Sequence, residues 1–131
     1  MSQNAGRQPT VLIVGDDELI RMAAVDELNE RGLEALGARH AMAALSILES
    51  NKPVDLLITD IGLPGLDGRR LAEMARALRP SIGIMFLTGY PIDPNEAAPG
   101  MRFVEKPIDL NLLARLVETM LEDQSGSLIH P

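Results

Sequence analysis

Short apolar runs alternate with amphipathic stretches along the chain. The run "TVLIV" has no polar interruption, which is typical of a strand buried on both faces of a sheet. Similar runs predict strands at residues 10–14, 33–38, 54–60, 82–88 and 101–106. Apolar residues at helical spacing predict helices at residues 17–30, 41–50, 66–78 and 109–123. Pro91, Pro94 and Pro99 precede the last strand, so any helix there is expected to be short.

This alternation of strands and helices predicts an α/β fold made of five βα units. Strands connected through helices run parallel, and the helices then cover both faces of the sheet. The length of 131 residues favours a single domain. We expect that domain at residues 10–123, with a flexible N-terminus at 1–9 and a flexible C-terminal tail at 124–131.

Polar side chains stand at the carboxyl ends of the predicted strands. Asp16 follows the first strand and Asp60 ends the third. Thr88 ends the fourth strand and Lys106 ends the fifth. Because the carboxyl ends of parallel strands meet at one edge, where ligands bind, these residues are expected to share one site.

The residue types at this edge suit phosphoryl chemistry. Two carboxylates, a backbone carbonyl and water form an oxygen-only site of the kind that Mg²⁺ takes. A hydroxyl and an ammonium group suit phosphoryl oxygens, and a carboxylate can itself accept a phosphoryl group. Taken singly, Asp60 also fits a turn residue and Lys106 a solvated surface lysine. Their shared placement favours a functional site.

The composition excludes several classes of function. The chain has no cysteine and therefore no disulfide, thiolate zinc site or iron–sulfur cluster. With 12 Lys and Arg against 19 Asp and Glu, the net charge of −7 argues against direct nucleic-acid binding. No apolar run reaches membrane-spanning length, and "MSQNAGRQPT" lacks a signal-peptide core. We therefore expect a cytoplasmic protein with no membrane contact.

Four stretches of the chain resemble, in their order, the receiver domain of bacterial two-component response regulators. They are "VLIVGDDELIR", "VDLLITDIGLPGLDG", "IGIMFLTGY" and "FVEKP", and the resemblance covers about residues 10–122. It implies a doubly wound, flavodoxin-like sheet with the strand order 2-1-3-4-5. It also implies phosphorelay signal transduction by a phosphoprotein that carries an aspartyl phosphate.

The resemblance assigns a role to each acidic residue of the site. It makes Asp60 the phosphoacceptor. It implies that Mg²⁺ is held by Asp16, Asp60 and the backbone carbonyl of Gly62. Asp17 is a further candidate ligand.

The same resemblance assigns the remaining site residues. Thr88 and Lys106 are expected to bind phosphoryl oxygens, and the bond between Lys106 and Pro107 is expected to be cis. Thr88 and Phe103 stand at the positions of the family's switch residues, although Phe103 also fits a plain core position. Tyr90 is either a half-exposed loop aromatic or a side chain that shields the site and tunes hydrolysis.

Gly15 departs from the family pattern, which has two or three adjacent acids after the first strand. An alignment without a gap puts Gly15 at the first acidic position and leaves Asp16 and Asp60 44 residues apart, as in the family. The alternative shifts by one residue, makes Asp16 and Asp17 the acidic pair and needs a bulge. The ungapped alignment predicts a working site with lowered Mg²⁺ affinity, which Asp17 partly restores.

The leading hypothesis is a stand-alone, single-domain response regulator. It accepts a phosphoryl group on Asp60 from a histidine kinase or phosphotransfer protein. It is not an enzyme beyond slow self-dephosphorylation. A downstream protein is expected to bind the face formed by the fourth strand, the fifth strand and the last helix. A weak homodimer through the last strand and helix stays open.

Two rival hypotheses come from other classes of protein. A phosphorylation-independent pseudo-receiver would serve only as an interaction module, and Gly15 would then mark lost metal chemistry. A hydrolase with an aspartyl nucleophile would need a second acid two residues after Asp60, where this chain has Gly62.

Overall fold

A five-stranded parallel sheet forms the centre of the chain. The computed structural model describes residues 7–91, 93, 95 and 100–129, with side chains as far as residue 124. The strands are β1 (Thr10–Val14), β2 (Glu34–Ala38), β3 (Leu56–Asp60), β4 (Gly83–Thr88) and β5 (Met101–Glu105). Their order is β2-β1-β3-β4-β5, and every neighbouring pair is parallel. The predicted fold class and strand order are confirmed.

Four α-helices accompany the sheet in the described part of the chain. They are α1 (Glu18–Glu30), α2 (Ala41–Glu49), α3 (Gly68–Leu78) and α4 (Leu110–Ile129). Asp109 caps α4, because its Oδ1 accepts hydrogen bonds from the amides of Asn111 and Leu112 at 3.0 and 3.1 Å. None of the helices in the described ranges is long and apolar enough to cross a membrane.

The repeat of five βα units predicts a helix between β4 and β5, and only part of this connection is described. Its described residues (89–91, 93, 95 and 100) form no α-helix, and Asn95 lies in a 3₁₀ turn. The prolines of this segment lack the amide hydrogen that an α-helix uses. The described part therefore has four α-helices rather than five. Residues 92, 94 and 96–99 lie outside that part, so the short helix considered there stays a prediction.

Helices cover both faces of the sheet because alternate strand residues point in opposite directions. Val11 and Ile13 of β1 pack on the side of α1 and α4. Leu12 and Val14 pack on the side of α2 and α3. All four side chains are at most 3% exposed. The core is mainly aliphatic, since the chain has no Trp and only two Phe.

The described structure continues past residues 10 and 123, the predicted limits of the domain, at both ends. Arg7 donates two hydrogen bonds to the Asp55 carboxylate, at 3.0 and 3.1 Å, and these raise the pKa of Arg7. The Pro9 carbonyl accepts the Glu34 amide at 2.9 Å. At the other end, α4 continues to Ile129, six residues past the predicted end of the helix. Residues 1–6 and 130–131 lie outside the described part, so flexibility there stays a prediction.

The strand register brings the predicted site residues to one edge. Asp60 on β3 is paired with Leu87 on β4, so Thr88 lies one residue beyond it. Thr88 in turn is paired with Glu105 on β5, and Lys106 follows directly. The Lys106 amide donates to the Thr88 carbonyl at 2.7 Å, which continues the ladder past the end of β5.

Candidate functional site

Asp60 and Lys106 form an ion pair at the carboxyl edge of the sheet. The Lys106 Nζ lies 2.8 Å from Asp60 Oδ1, a distance typical of a charge-assisted hydrogen bond. The Asp60 side chain is 12% exposed and that of Lys106 is 40% exposed. The bond between Lys106 and Pro107 is cis, as the resemblance implied. Because both residues stand at strand ends, the sheet itself places them together.

Gly15 lies beside the other oxygen of the Asp60 carboxylate. A Cβ built on Gly15 would come within 2.9 Å of Asp60 Oδ2, so a side chain here would touch the carboxylate. β1 keeps an unbroken register with both neighbouring strands as far as Val14. Continuous pairing favours the ungapped alignment, in which Gly15 stands at the first acidic position.

Asp16 and Asp17 are exposed at the start of α1. Together with Asp60 and Lys106 they line a cavity of about 360 Å³ between β1, β3, α1 and the start of α4. Asp17 is the N-cap of α1, and its Oδ1 accepts the Ile20 amide at 3.1 Å. One Asp17 oxygen therefore caps the helix, and the role of Asp17 as a further ligand stays a prediction.

The groups that could hold a metal at this cavity are all oxygen donors. Asp16 and Asp60 supply carboxylates that line the cavity. The exposed Gly62, in the loop after β3, does not line the cavity, and the role of its carbonyl as a ligand stays a prediction. In the described ranges, no three His, Asp or Glu side chains are grouped so as to enclose a metal ion. Mg²⁺ needs no such enclosure, because it keeps several waters and is held by one or two carboxylates. The donor set therefore fits Mg²⁺.

Thr88 is buried at the end of β4, with 6% of its surface exposed. Its Oγ1 accepts a hydrogen bond from the Tyr90 amide at 3.0 Å. The Tyr90 side chain is 79% exposed, which favours its interpretation as a loop aromatic over a shield for Asp60. The hydroxyl of Thr88 is thus at the predicted edge and is engaged with the loop that follows it.

Phe103 combines the contacts of a core residue with the position of a switch residue. Its ring stacks on Phe86 with centroids 5.0 Å apart and an interplanar angle of 30°. The guanidinium carbon of Arg69 lies 5.6 Å from the Phe103 ring centroid and 6.0 Å from that of Phe86. Phe103 is half-buried against the core on the α2 and α3 side. Its role as a switch stays a prediction.

Arg21 and Arg69 are site neighbours that the sequence reasoning missed. Arg21 Nη1 donates to the Gly15 carbonyl at 2.7 Å. A signal for Arg21 was present, because helical side chains lean toward the N-terminus and an arginine near the first turn can reach the preceding strand end. Arg69 carried no local signal, since the rings it covers lie on β4 and β5.

Known proteins resemble this chain over most of its length. A family model described as "Response regulator receiver domain" matches residues 11–118. The response regulator receiver protein CpdR of Brucella abortus (strain 2308) is 32% identical over 115 residues, which make up 85% of this chain and 95% of CpdR. The sensor kinase CckA of the same organism is 36% identical over 122 residues, covering 88% of this chain but only 13% of CckA.

A solved structure agrees with both the fold and the sequence similarity. The crystal structure of the receiver domain from the hybrid histidine kinase CckA has a TM-score of 0.76 at 37% identity. The match covers 86% of this chain and 98% of that one. Since the family model, the relatives and the site geometry agree, the chain belongs to the family of response regulator receiver domains of two-component systems.

Proposed function

We propose that the chain is a phosphorylation switch in which Asp60 accepts a phosphoryl group. The proposal rests on the position of Asp60, the last residue of β3. Its carboxylate lies 2.8 Å from the Lys106 Nζ and borders the cavity that Asp16 also lines. Receiver domains interact with histidine kinases or phosphotransfer proteins. One such protein is the proposed phosphoryl donor.

The transfer joins phosphorus to an Asp60 carboxylate oxygen and breaks the bond between phosphorus and a histidine nitrogen of the donor, which keeps the electron pair. Lys106 is close enough to Asp60 to bind a phosphoryl oxygen once the carboxylate has been modified. Asp16, Asp60 and the Gly62 carbonyl are the groups proposed to hold Mg²⁺, which offsets the negative charge of the phosphoryl group when bound.

The proposed response begins at Thr88. When its hydroxyl turns toward the phosphoryl group, it gives up the hydrogen bond from the Tyr90 amide. The loop that starts at Tyr90 and the stacked Phe103 then rearrange. The downstream protein binds the face made of β4, β5 and α4, and slow self-dephosphorylation resets the domain without further enzyme activity.

The rival hypotheses lack support in the site. A pseudo-receiver would have no need to keep Asp60 and Lys106 paired beside an open acidic cavity, yet both are in place despite Gly15. A hydrolase would need a second acid two residues after the nucleophile, and that residue is Gly62.

The proposal is tested by intact-mass spectrometry after incubation with acetyl phosphate, with and without Mg²⁺. We expect one phosphoryl adduct that requires Mg²⁺, disappears in Asp60→Asn and persists in Asp26→Asn, an exposed aspartate on α1. Absence of an adduct at saturating Mg²⁺, together with no binding of beryllofluoride, would overturn the proposal.

The lowered Mg²⁺ affinity proposed for Gly15 has a separate test. Gly15→Asp adds a carboxylate beside Asp60, so a titration should show a higher affinity for Mg²⁺. Gly15→Ala is the matched control, because it adds the Cβ that would lie 2.9 Å from Asp60 Oδ2 without adding a charge. Equal Mg²⁺ affinity of Gly15→Asp and the unmodified chain would contradict this idea.

A further inference from the structure

We propose that Arg21 is a positioning residue for the acidic site. Its guanidinium holds the Gly15 carbonyl and thereby sets the direction in which the next residue, Asp16, leaves the end of β1. The inference rests on the proposed function, since Asp16 matters there as a ligand. It adds a residue of α1 whose side chain, among the described residues, hydrogen-bonds to the Gly15 carbonyl rather than to the carboxylate of Asp16 or Asp60.

The contact between Arg21 and Gly15 is short and well placed. Arg21 Nη1 lies 2.7 Å from the Gly15 oxygen, a distance typical of a hydrogen bond from a charged donor. Arg21 is half-buried and borders the same cavity as Asp16 and Asp60. Since helical side chains lean toward the N-terminus, this position of α1 directs the guanidinium to the strand end.

Gly15 is the residue at which such a contact has the greatest effect. Glycine has the widest backbone freedom, and Gly15 has no side chain that could pack and fix it. Its amide donates to the Ala38 carbonyl at 3.1 Å, and its carbonyl accepts from Arg21. The peptide group between Gly15 and Asp16 is planar, so fixing its oxygen also fixes the amide of Asp16.

Gly37 supplies an independent sign that the fold reserves space for Arg21. Glycine is unfavourable inside a strand unless another group approaches closely, and Gly37 lies inside β2. A Cβ on Gly37 would come within 3.3 Å of Arg21 Cδ and 3.4 Å of Arg21 Cγ. The stem of Arg21 thus lies so close to Gly37 that a side chain there would move it by a few tenths of an ångström.

A positioning role and a purely electrostatic role of Arg21 predict opposite changes in Mg²⁺ affinity when Arg21 is removed. If Arg21 acted only as a nearby cation, its removal would tighten Mg²⁺ by reducing repulsion. If it positions Asp16, its removal weakens Mg²⁺. Arg39 is the matched charge control, because it is exposed and borders a smaller pocket together with Asp16 and Arg21.

The first experiment measures Mg²⁺ dissociation constants by calorimetry for the unmodified chain, Arg21→Ala and Arg39→Ala, below the melting temperature of each. We expect Arg21→Ala to weaken Mg²⁺ binding by roughly 10-fold or more, the change that corresponds to losing one charged hydrogen bond. Arg39→Ala should leave the affinity unchanged or slightly tighter. Unchanged or tighter binding in Arg21→Ala would overturn the proposal.

A double-mutant cycle tests whether the contact between Gly37 and the Arg21 side chain matters for the site. Gly37→Ala should weaken Mg²⁺ binding slightly in the Arg21 chain, because the added Cβ shifts the Arg21 stem by a few tenths of an ångström. It should have no effect in the Arg21→Ala background, where that contact is gone. Equal effects of Gly37→Ala in both backgrounds would contradict the link between Arg21 and the site.

A readout without metal separates this inference from the proposed function. Backbone ¹⁵N relaxation of the metal-free protein should show lower order parameters at residues 15–17 in Arg21→Ala but not in Arg39→Ala. If the unmodified chain binds no Mg²⁺ and takes no phosphoryl group, the proposed function fails, and relaxation alone decides on Arg21. Unchanged order parameters in Arg21→Ala would overturn the positioning role.

Discussion

Gly68 is the glycine whose replacement should do most damage to the site, because it lies against the backbone of Asp60. A Cβ built on Gly68 would be 1.9 Å from the Asp60 carbonyl oxygen and 2.9 Å from its carbonyl carbon. An ordinary contact between carbon and oxygen is about 3.3 Å or longer. Gly68→Ala therefore forces the start of α3 away from the end of β3 by more than about 1 Å. Both partners are backbone, so no side-chain rotation relieves the overlap.

The cost of Gly68→Ala can be worked out from these contacts. Overpacking of a tightly packed position costs about 1–3 kcal/mol, and more where the backbone must move. The Gly68 amide also donates to the Ile61 carbonyl at 2.8 Å, and loss of that hydrogen bond adds about 1 kcal/mol. The better helix propensity of alanine stabilises α3 by about 1 kcal/mol and partly offsets this loss. We expect the free energy of unfolding to fall by about 1–3 kcal/mol or more, which lowers Tm by roughly 10 °C.

Urea unfolding followed by circular dichroism measures this loss, with Gly89→Ala as the control. A Cβ on Gly89 has no neighbour within 4 Å, and Gly89 is not among the described glycines with positive φ. Gly89→Ala should leave the protein equally stable or up to about 1 kcal/mol more stable. If Gly68→Ala matched this control, the close approach of α3 to Asp60 would be refuted. The same variant should also slow phosphorylation of Asp60, because the end of β3 moves.

Three further predictions concern the stability of the fold. Leu57→Ala, at a fully buried position of the central strand, should lower the free energy of unfolding by about 2–5 kcal/mol in urea denaturation, and a loss below about 1 kcal/mol would contradict its burial. Arg7→Met should cost about 1 kcal/mol by removing a partly exposed ion pair with Asp55. The pKa of Arg7 is raised, so the stabilisation by this ion pair is lost only as pH rises through that raised pKa. Denaturation at about pH 6 and at about pH 9 should therefore show the same loss of unfolding free energy in Arg7→Met. Phe103→Leu should cost about 1–2 kcal/mol through the lost stack on Phe86, measured against Arg102→Leu on the same strand.

The sheet and the centre of the site could be predicted because local patterns encode them. The apolar run at residues 10–14 coincides with β1, and the aspartate that ends the next long run is the last residue of β3. Parallel strands carry their carboxyl ends to one edge whatever the details of packing. Asp60 and Lys106 could therefore be placed together before their 2.8 Å contact was known.

Several polar contacts of the fold could not be predicted, because they join residues that no local pattern relates. Arg69 covers rings on β4 and β5, and Arg7 reaches Asp55 across 48 residues of sequence. The polar composition of the first nine residues indicated a free lead-in, whereas the partly buried carboxylate of Asp55, just before β3, binds Arg7. Long-range polar contacts of this kind depend on the packed geometry, and composition alone does not show them.

The effect of Gly15, where the family has an acidic residue, depends on contacts with residues that are distant in the sequence. The missing acid can be seen from the sequence, but its consequence depends on Arg21, on Ala38 and on the Asp60 oxygen that faces the glycine. A carboxylate introduced at Gly15 would bring its Cβ to 2.9 Å from Asp60 Oδ2, so Asp60 must give way while the new ligand is added. Metal affinity and phosphorylation rate therefore need not change together in Gly15→Asp. The decisive result is tighter Mg²⁺ binding with slower phosphorylation in Gly15→Asp, and slower phosphorylation alone in Gly15→Ala. It would show that Gly15 keeps the phosphoacceptor in place and also reduces the negative charge of the site.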